Sequence, residues 1–193
     1  YSEKVFITIA ATVRKKQLTN ILGQNTKIGI VIPTVGSIYG EGVSIYSSNN
    51  TEIDDKIEAI FGAGGYVQKV DEDKVIQSAQ GACLPGWDSR YVLKNLEMLR
   101  KYFPDNELSK KFIINNLRGV ANMLEQNESD DLQALKNYSL KVGKPGKSIT
   151  YQGIELYEKN GFYKAIEKSH ELVGEIMKKY WFFIIFIFFF TNK

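Results

Sequence analysis

A chain of 193 residues that is 44% hydrophobic and 24% charged has ordinary globular composition, enough to bury a core in one domain or two small ones. Its 25 basic and 22 acidic residues leave a formal net charge of +3 with no long single-sign block, so charge gives no reason to expect a nucleic-acid partner. One cysteine, Cys83, excludes an internal disulfide, and one histidine, His170, leaves nothing with zinc-ligand spacing; no metal site is expected, and the composition suits a reducing cytoplasm.

From Tyr1 the chain runs straight into the β-rich stretch Lys4 to Ala11, which reads as a piece of a longer protein. A short helix is expected over Lys15 to Leu22. The apolar run Lys27 to Ile32, stopped by Pro33, predicts a strand, as does Gly42 to Tyr46. Ile53, Ile57 and Ile60 fall at helical spacing within Glu52 to Phe61, and Tyr66 to Val70 reads as a further strand. These alternating segments make an α/β layer with a parallel-type sheet.

After Asp71 the pattern turns helical, with helices expected at 72–82, 89–102, 106–126, 130–139, 149–159 and 162–179. The clearest is 106–126, where Leu108, Phe112, Leu117, Val120 and Leu124 form one apolar stripe behind the start signal Pro104-Asp105. The expected organisation is therefore α/β over 1–71, an all-α part over 72–180, and an apolar tail over 181–193. Trp181 to Phe190 carries no charge, yet as a helix it would span about 15 Å against a bilayer core of roughly 30 Å, too short to cross. A secretory signal would sit at the other end of a chain. The tail reads as a non-native extension, as packing within a dimer, or as a membrane contact.

Several motifs invite a chemical reading and fail on context. Gly62-Ala-Gly64-Gly65 resembles part of a dinucleotide fingerprint, but a helix precedes it and a strand follows, the reverse of what that motif requires. A helix end and turn explain it better. Gly143 to Ser148 ends like a phosphate-binding loop without the leading glycine or strand. Cys83 lies in Cys83-Leu-Pro-Gly-Trp-Asp-Ser89, an irregular segment expected between two helices, with no base nearby in sequence; a structural or incidental role is the simpler reading. His170 reads as a solvated or helix-packing residue, and Lys141, Lys144 and Lys147 as a solvated basic loop.

Four stretches, in this order, resemble the pyrroline-5-carboxylate reductase family. Ile7-Thr-Ile-Ala-Ala11 is similar to the strand and turn that end Ala-Ala-Gly, with Thr12 in the glycine's place. Ile30-Val-Ile-Pro33-Thr34 through Gly40-Glu-Gly-Val43 resembles Met-Pro-Asn-Thr-Pro followed by Gly-Glu-Gly-Val, and Val70-Asp-Glu-Asp73 resembles the acidic turn before the family's substrate loop. Lys144-Pro-Gly-Lys-Ser-Ile-Thr150 through Gly153 to Phe162 resembles Ser-Pro-Gly-Gly-Thr-Thr and the helix after it. With Leu117 to Glu125 the likeness covers residues 4 to about 179.

The resemblance implies the C-terminal part of a Rossmann-like NAD(P)-binding domain followed by a helical dimerisation domain, in a homodimer or larger assembly. It implies a cytoplasmic enzyme that reduces the imine Δ1-pyrroline-5-carboxylate to L-proline with NADP or NAD, with no membrane partner. On the matching positions it implies that Ala10, Ala11, Pro33 and Thr34 border the cofactor, and that Gly86, Pro145, Gly146 and Thr150 border the substrate. No catalytic nucleophile is implied, since a protonated imine needs positioning more than activation. The departures are specific. Only Gly86 survives from the family's glycine-rich substrate loop, Trp87 and Asp88 are bulky or acidic there, Thr34 and Lys147 replace Asn and Gly, and the phosphate-binding glycine fingerprint belongs upstream of Tyr1. The alternatives are a relative acting on another imine, or a non-catalytic dimeric binding or regulatory protein.

Overall fold

The computed structural model describes residues 4–103, 105–126, 131–146, 148–179 and 187–190. Its sheet has five strands in the order β4-β3-β2-β1-β5, where β1 is Val5–Thr8, β2 Lys27–Pro33, β3 Gly42–Ser48, β4 Gly65–Lys69 and β5 Ile187–Phe190. Helix α1 (Lys15–Leu22) carries the chain from β1 to its parallel neighbour β2, and α2 (Thr51–Phe61) from β3 to its parallel neighbour β4. β2 and β3 pair antiparallel. The sheet is thus mixed and not simply parallel, because the stretch between Pro33 and Gly42 holds only a 3₁₀ turn, Val35–Tyr39, too short for the crossover a parallel pair needs. On the outer edge of β1 the backbone of β5 pairs antiparallel, Val5 opposite Phe190 and Thr8 opposite Ile187.

Alternation sorts the strand residues onto two faces. Val5, Ile7, Val31 and Tyr46 meet Ile53 and Ile57 of α2, whereas Phe6 and Ile28 meet Val13 and Leu18 at α1. Both faces are covered, which explains why β2 reads as an unbroken apolar run. Gly29 lies under α2 without a side chain, since a Cβ there would come within 2.7 Å of Ile57 Cδ1. Asn50 caps α2 by accepting from Glu52 N at 2.9 Å, and Asn49 ties the end of β3 to β2 by accepting from Ile28 N at 2.7 Å.

Tyr46 is 1% exposed, and its hydroxyl donates to Glu58 Oε1 at 2.8 Å. Burial, and next the Glu58 hydrogen bond, raise its pKa well above the ordinary 10.0. The neutral phenol is the form the fold favours, so this contribution is complete below the unfolded pKa and is lost as pH rises beyond it. Tyr46→Phe is expected to cost about 1 kcal/mol at neutral pH. It should also flatten the fall in stability between about pH 9 and pH 11. Urea denaturation at both ends of that range checks the expectation.

Past β4 the described residues up to Lys179 are helical: α3 (Glu72–Gln77), α4 (Ala79–Tyr102), α5 (Asn106–Glu125), α6 (Asp131–Val142), α7 (Ile149–Lys159) and α8 (Phe162–Lys179). The helix expected over 72–82 breaks at Ser78, whose Oγ donates to Val75 O at 2.6 Å. A larger difference concerns Cys83 to Ser89, expected as an irregular loop. α4 runs through it with Pro85 inside. An internal proline costs about 3 kcal/mol, and here it falls early, with six residues of the 24-residue element before it and the longer part after it.

The change of structural class after Lys69 does not coincide with the division into compact units. One unit comprises residues 1–87 and 170–193, the other residues 88–169. The reason is packing: Val75 and Ala79 are buried against Ile30 and Ile32 of β2, with Met177 of α8 against the same cluster, so the first helical turns belong to the sheet unit. In the second unit Asp105 caps α5 by accepting from Glu107 N and Leu108 N, and aromatic pairs Phe103–Phe112 and Tyr157–Phe162 stack at 5.6 and 5.0 Å. Every buried hydrophobic side chain among the described residues lies between Val5 and Ala79. The stripe read from the sequence on α5, including Leu108, Phe112, Leu117 and Leu124, is exposed.

Candidate functional site

Parallel neighbours end at one edge, so the carboxyl ends of β1 and β2 bring Ala10-Ala11 and Pro33-Thr34 together there. In open α/β sheets that edge is where ligands bind. After β1, Thr8 Oγ1 accepts from Ala10 N at 3.1 Å and Val13 N donates to Ala10 O at 3.1 Å, making the tight turn that starts α1. Ala10 packs on the Phe6–Ile28 cluster and Ala11 on the Ile30–Val75 cluster. Both are small and half-buried, which lets another group approach the backbone. After β2, Thr34 is clasped to β3: its N–H donates to Val43 O at 2.9 Å and its Oγ1 accepts from Val43 N at 3.0 Å.

Charged residues converge on the same edge, where the acidic turn Val70 to Asp73 noted in the sequence meets Arg14 and Lys15, which the sequence reading passed over. Arg14 Nη1 donates to Asp73 Oδ1 at 2.5 Å, and Lys15 N donates to Glu72 Oε1 at 2.7 Å, which fastens the start of α1 to the start of α3. Lys15 Nζ donates to Ser47 Oγ at 2.8 Å and to Ser48 O at 3.2 Å. A basic run immediately after a strand-end turn, Arg14-Lys15-Lys16, and an acidic pair opening a later helix, Glu72-Asp73, were the available signals. Beside this network opens a cleft of about 300 Å³ whose lining includes Arg14, Asp73, Gln77, Gln80 and Lys178.

The residues expected to border a substrate do not all gather with these. Gly86 lies in the sheet unit but inside α4, exposed, so its backbone follows a helix and does not form an open anion cradle. Trp87 beside it packs edge-on against His170 at 4.8 Å, and Cys83 Sγ donates to Ala79 O at 3.4 Å. Pro145, Gly146 and Thr150 sit together in the other unit, at the turn that enters α7. Gly146 takes φ +70°, Ser148 caps the helix by accepting from Tyr151 N at 3.1 Å, and Thr150 is its second residue. Lys147 lies outside the described residues. Among the described residues no cluster of His, Cys, Asp and Glu could hold a metal, and no helix is long and apolar enough to cross a membrane.

A dinucleotide needs a close backbone approach at its nicotinamide end and a glycine-rich strand–helix turn for its pyrophosphate. The Ala10-Ala11 turn fits the first requirement. No segment of the described sheet fits the second, since Gly62–Gly64 follows α2 and leads into β4.

No family model and no curated protein matches the sequence. Solved structures do match. The chain superimposes on the pyrroline carboxylate reductase of Plasmodium falciparum, crystallised with NADP bound, with a TM-score of 0.78 and 24% identity over 90% of this chain and 69% of that one. The 1-pyrroline-5-carboxylate reductase of Streptococcus pyogenes gives 0.77 and 13% identity, over 90% and 66%. That of Coxiella burnetii gives 0.71 and 20%, over 91% and 65%. The chain therefore has the two-part fold of these reductases, a Rossmann-like sheet followed by a helical region, and spans about two thirds of their length.

Proposed function

We propose that this chain is the C-terminal part of an NAD(P)H-dependent imine reductase that converts Δ1-pyrroline-5-carboxylate to L-proline. The observation that carries the reading is the agreement in fold with pyrroline-5-carboxylate reductases over 90% of the chain, sheet and helices together. It agrees with the short motifs at Ala10-Ala11, Pro33-Thr34 and Pro145-Gly146.

A bound nicotinamide dinucleotide would supply the hydride that converts a protonated imine carbon to an amine. The chain's residues have to align and shield that carbon, and they need no nucleophile. Ala10, Ala11, Pro33 and Thr34 would border the nicotinamide at the sheet edge. Pro145, Gly146 and Thr150, at the turn that enters α7, would border the substrate, as the resemblance implies. A single cysteine and the absence of long single-sign charge runs fit a cytoplasmic enzyme with a small-molecule substrate. The test is NAD(P)H oxidation on addition of pyrroline-5-carboxylate, using the gene product together with any coding sequence preceding Tyr1. Turnover on the order of 10 per second supports the reading. No turnover with either dinucleotide rejects it.

One observation favours a divergent relative, either reducing another imine or acting without catalysis. α4 continues through Cys83 to Ser89, and Trp87 there is held against His170. Activity on a different cyclic imine, with none on pyrroline-5-carboxylate, would select that reading.

The assembly follows from burial. The second unit hides no large apolar side chain among its described residues, and Phe112 is 50% exposed. We expect a homodimer formed through residues 88–169, with an interface above roughly 1,000 Å². Sedimentation at tens of micromolar should show a dimer, and Phe112→Glu with Leu117→Glu should shift it to monomer. A monodisperse wild-type monomer would contradict this.

A further inference from the structure

We propose that the outer edge of β1 is a strand-acceptor site, that β5 is the strand closing it, and that the partner β5 keeps out is the β1 edge of a second copy of this chain. β5 matches β1 residue for residue, from Val5 opposite Phe190 to Thr8 opposite Ile187, so its backbone covers the whole strand. Successive residues of a strand turn their N–H and C=O groups to opposite sides. Half of the backbone groups of β1 therefore face β2, and the other half face β5.

The two edges of the sheet are protected by different means. At the far edge β4 carries the exposed Gln68 and Lys69, Lys69 Nζ donates to Asp54 Oδ2 at 2.6 Å, and Gly65 begins the strand at φ +131°. Polar, charged and irregular strands of that kind are poor templates for a further strand. β1 has none of these features. It reads Val-Phe-Ile-Thr, without charge, proline or glycine, and its four residues are 1–4% exposed. An apolar edge of this kind, left bare, invites strand addition. β5 lies antiparallel to it, the direction in which the β1 of a second copy would meet this one across a two-fold axis. The two occupants compete for the same backbone groups. The apolar C-terminal stretch thus holds the sheet unit apart from its copies, whether or not the protein is a reductase.

The test places proline at two adjacent positions of β5 in the whole chain, with Phe112→Glu and Leu117→Glu present to suppress association through the helical unit. Neighbouring antiparallel pairs alternate between bonded and non-bonded, so of Phe6–Phe189 and Ile7–Phe188 only one exchanges N–H···O bonds. Proline at the bonded position removes a ladder donor. At the other position the missing N–H points away from β1, and proline is tolerated. One of Phe188→Pro and Phe189→Pro is therefore expected to speed amide exchange at its own partner in β1 about tenfold or more in dilute protein, while the amides of β2 and β3 stay protected. When concentrated, that variant should sediment as a dimer and the other as a monomer. A chain ending at Lys179 should behave like the disruptive variant. Equal effects of the two prolines, unchanged exchange at Phe6 and Ile7 in both, or a disruptive variant that stays monomeric overturns the proposal.

Discussion

Gly65→Ala is expected to destabilise the sheet unit by about 3 kcal/mol or more, from two independent causes. Gly65 has φ +131° and ψ −145°, a region that L side chains rarely adopt. A Cβ built there would also lie 2.2 Å from Gly42 O and 2.6 Å from Gly42 N. These are backbone atoms of the opposing residue in the first β3–β4 pair, and they have no rotamer by which to withdraw. Gly42 cannot retreat either, because Ser37 N lies 2.5 Å from where its own Cβ would be. The control is Gly81→Ala, in open space within α4, where the same substitution should stabilise by roughly 0.5–1 kcal/mol. Urea midpoints for the two variants should move in opposite directions. Equal midpoints for Gly65→Ala and wild type would mean that β3 and β4 do not pair at Gly42.

Gly29→Val is the second large effect. Gly29 sits mid-strand in β2 beneath α2, where a Cβ would meet Ile57 Cδ1 at 2.7 Å and Ile53 Cγ2 at 3.0 Å. Ile57 Cδ1 is the end of a flexible side chain, so alanine at this position should cost only about 1–3 kcal/mol. Valine adds two methyl groups against two fully buried isoleucines and should exceed that range. The cause can be isolated by a double-mutant cycle. Ile57→Ala alone leaves a cavity, but combined with Gly29→Ala it removes the overlap, so the pair should be less destabilising than the sum by about 1 kcal/mol. Strict additivity would place α2 elsewhere.

Much of the architecture could be read before any coordinates. α7 and α8 have the bounds expected from their patterns because strong punctuation flanks them: Ser148 caps one, and Gly161 at φ +75° turns the chain between them. Gly62–Gly65 is a helix end and turn, as its order relative to helix and strand implied. Two features escaped local reasoning. The antiparallel pairing of β2 with β3 depends on loop length, a constraint on connection and not on pattern. The helical path of α4 through Pro85 and Gly86 reverses what a Pro-Gly pair suggests; Pro85 is the seventh residue of α4, which continues to Tyr102.

The site divides in the same way. The Ala10-Ala11 and Pro33-Thr34 turns were singled out by their resemblance to family motifs, and each follows an apolar strand run. The Arg14–Asp73 bond and the cleft that takes in Lys178 join residues far apart in the chain, and no local signal links them. The exposed α5 stripe agrees with helices that carry more apolar surface than one small bundle hides, although periodicity marks an apolar face without saying what covers it.

The most direct test of the central claim is isotopic. The gene product, with any coding sequence preceding Tyr1, is incubated with pyrroline-5-carboxylate and NAD(P)H carrying deuterium at the transferable position of the nicotinamide, and the product is analysed by mass spectrometry and NMR. The account predicts L-proline bearing one deuterium on the former imine carbon, formed in step with dinucleotide oxidation. Absence of labelled proline from folded protein, with either dinucleotide, would contradict it.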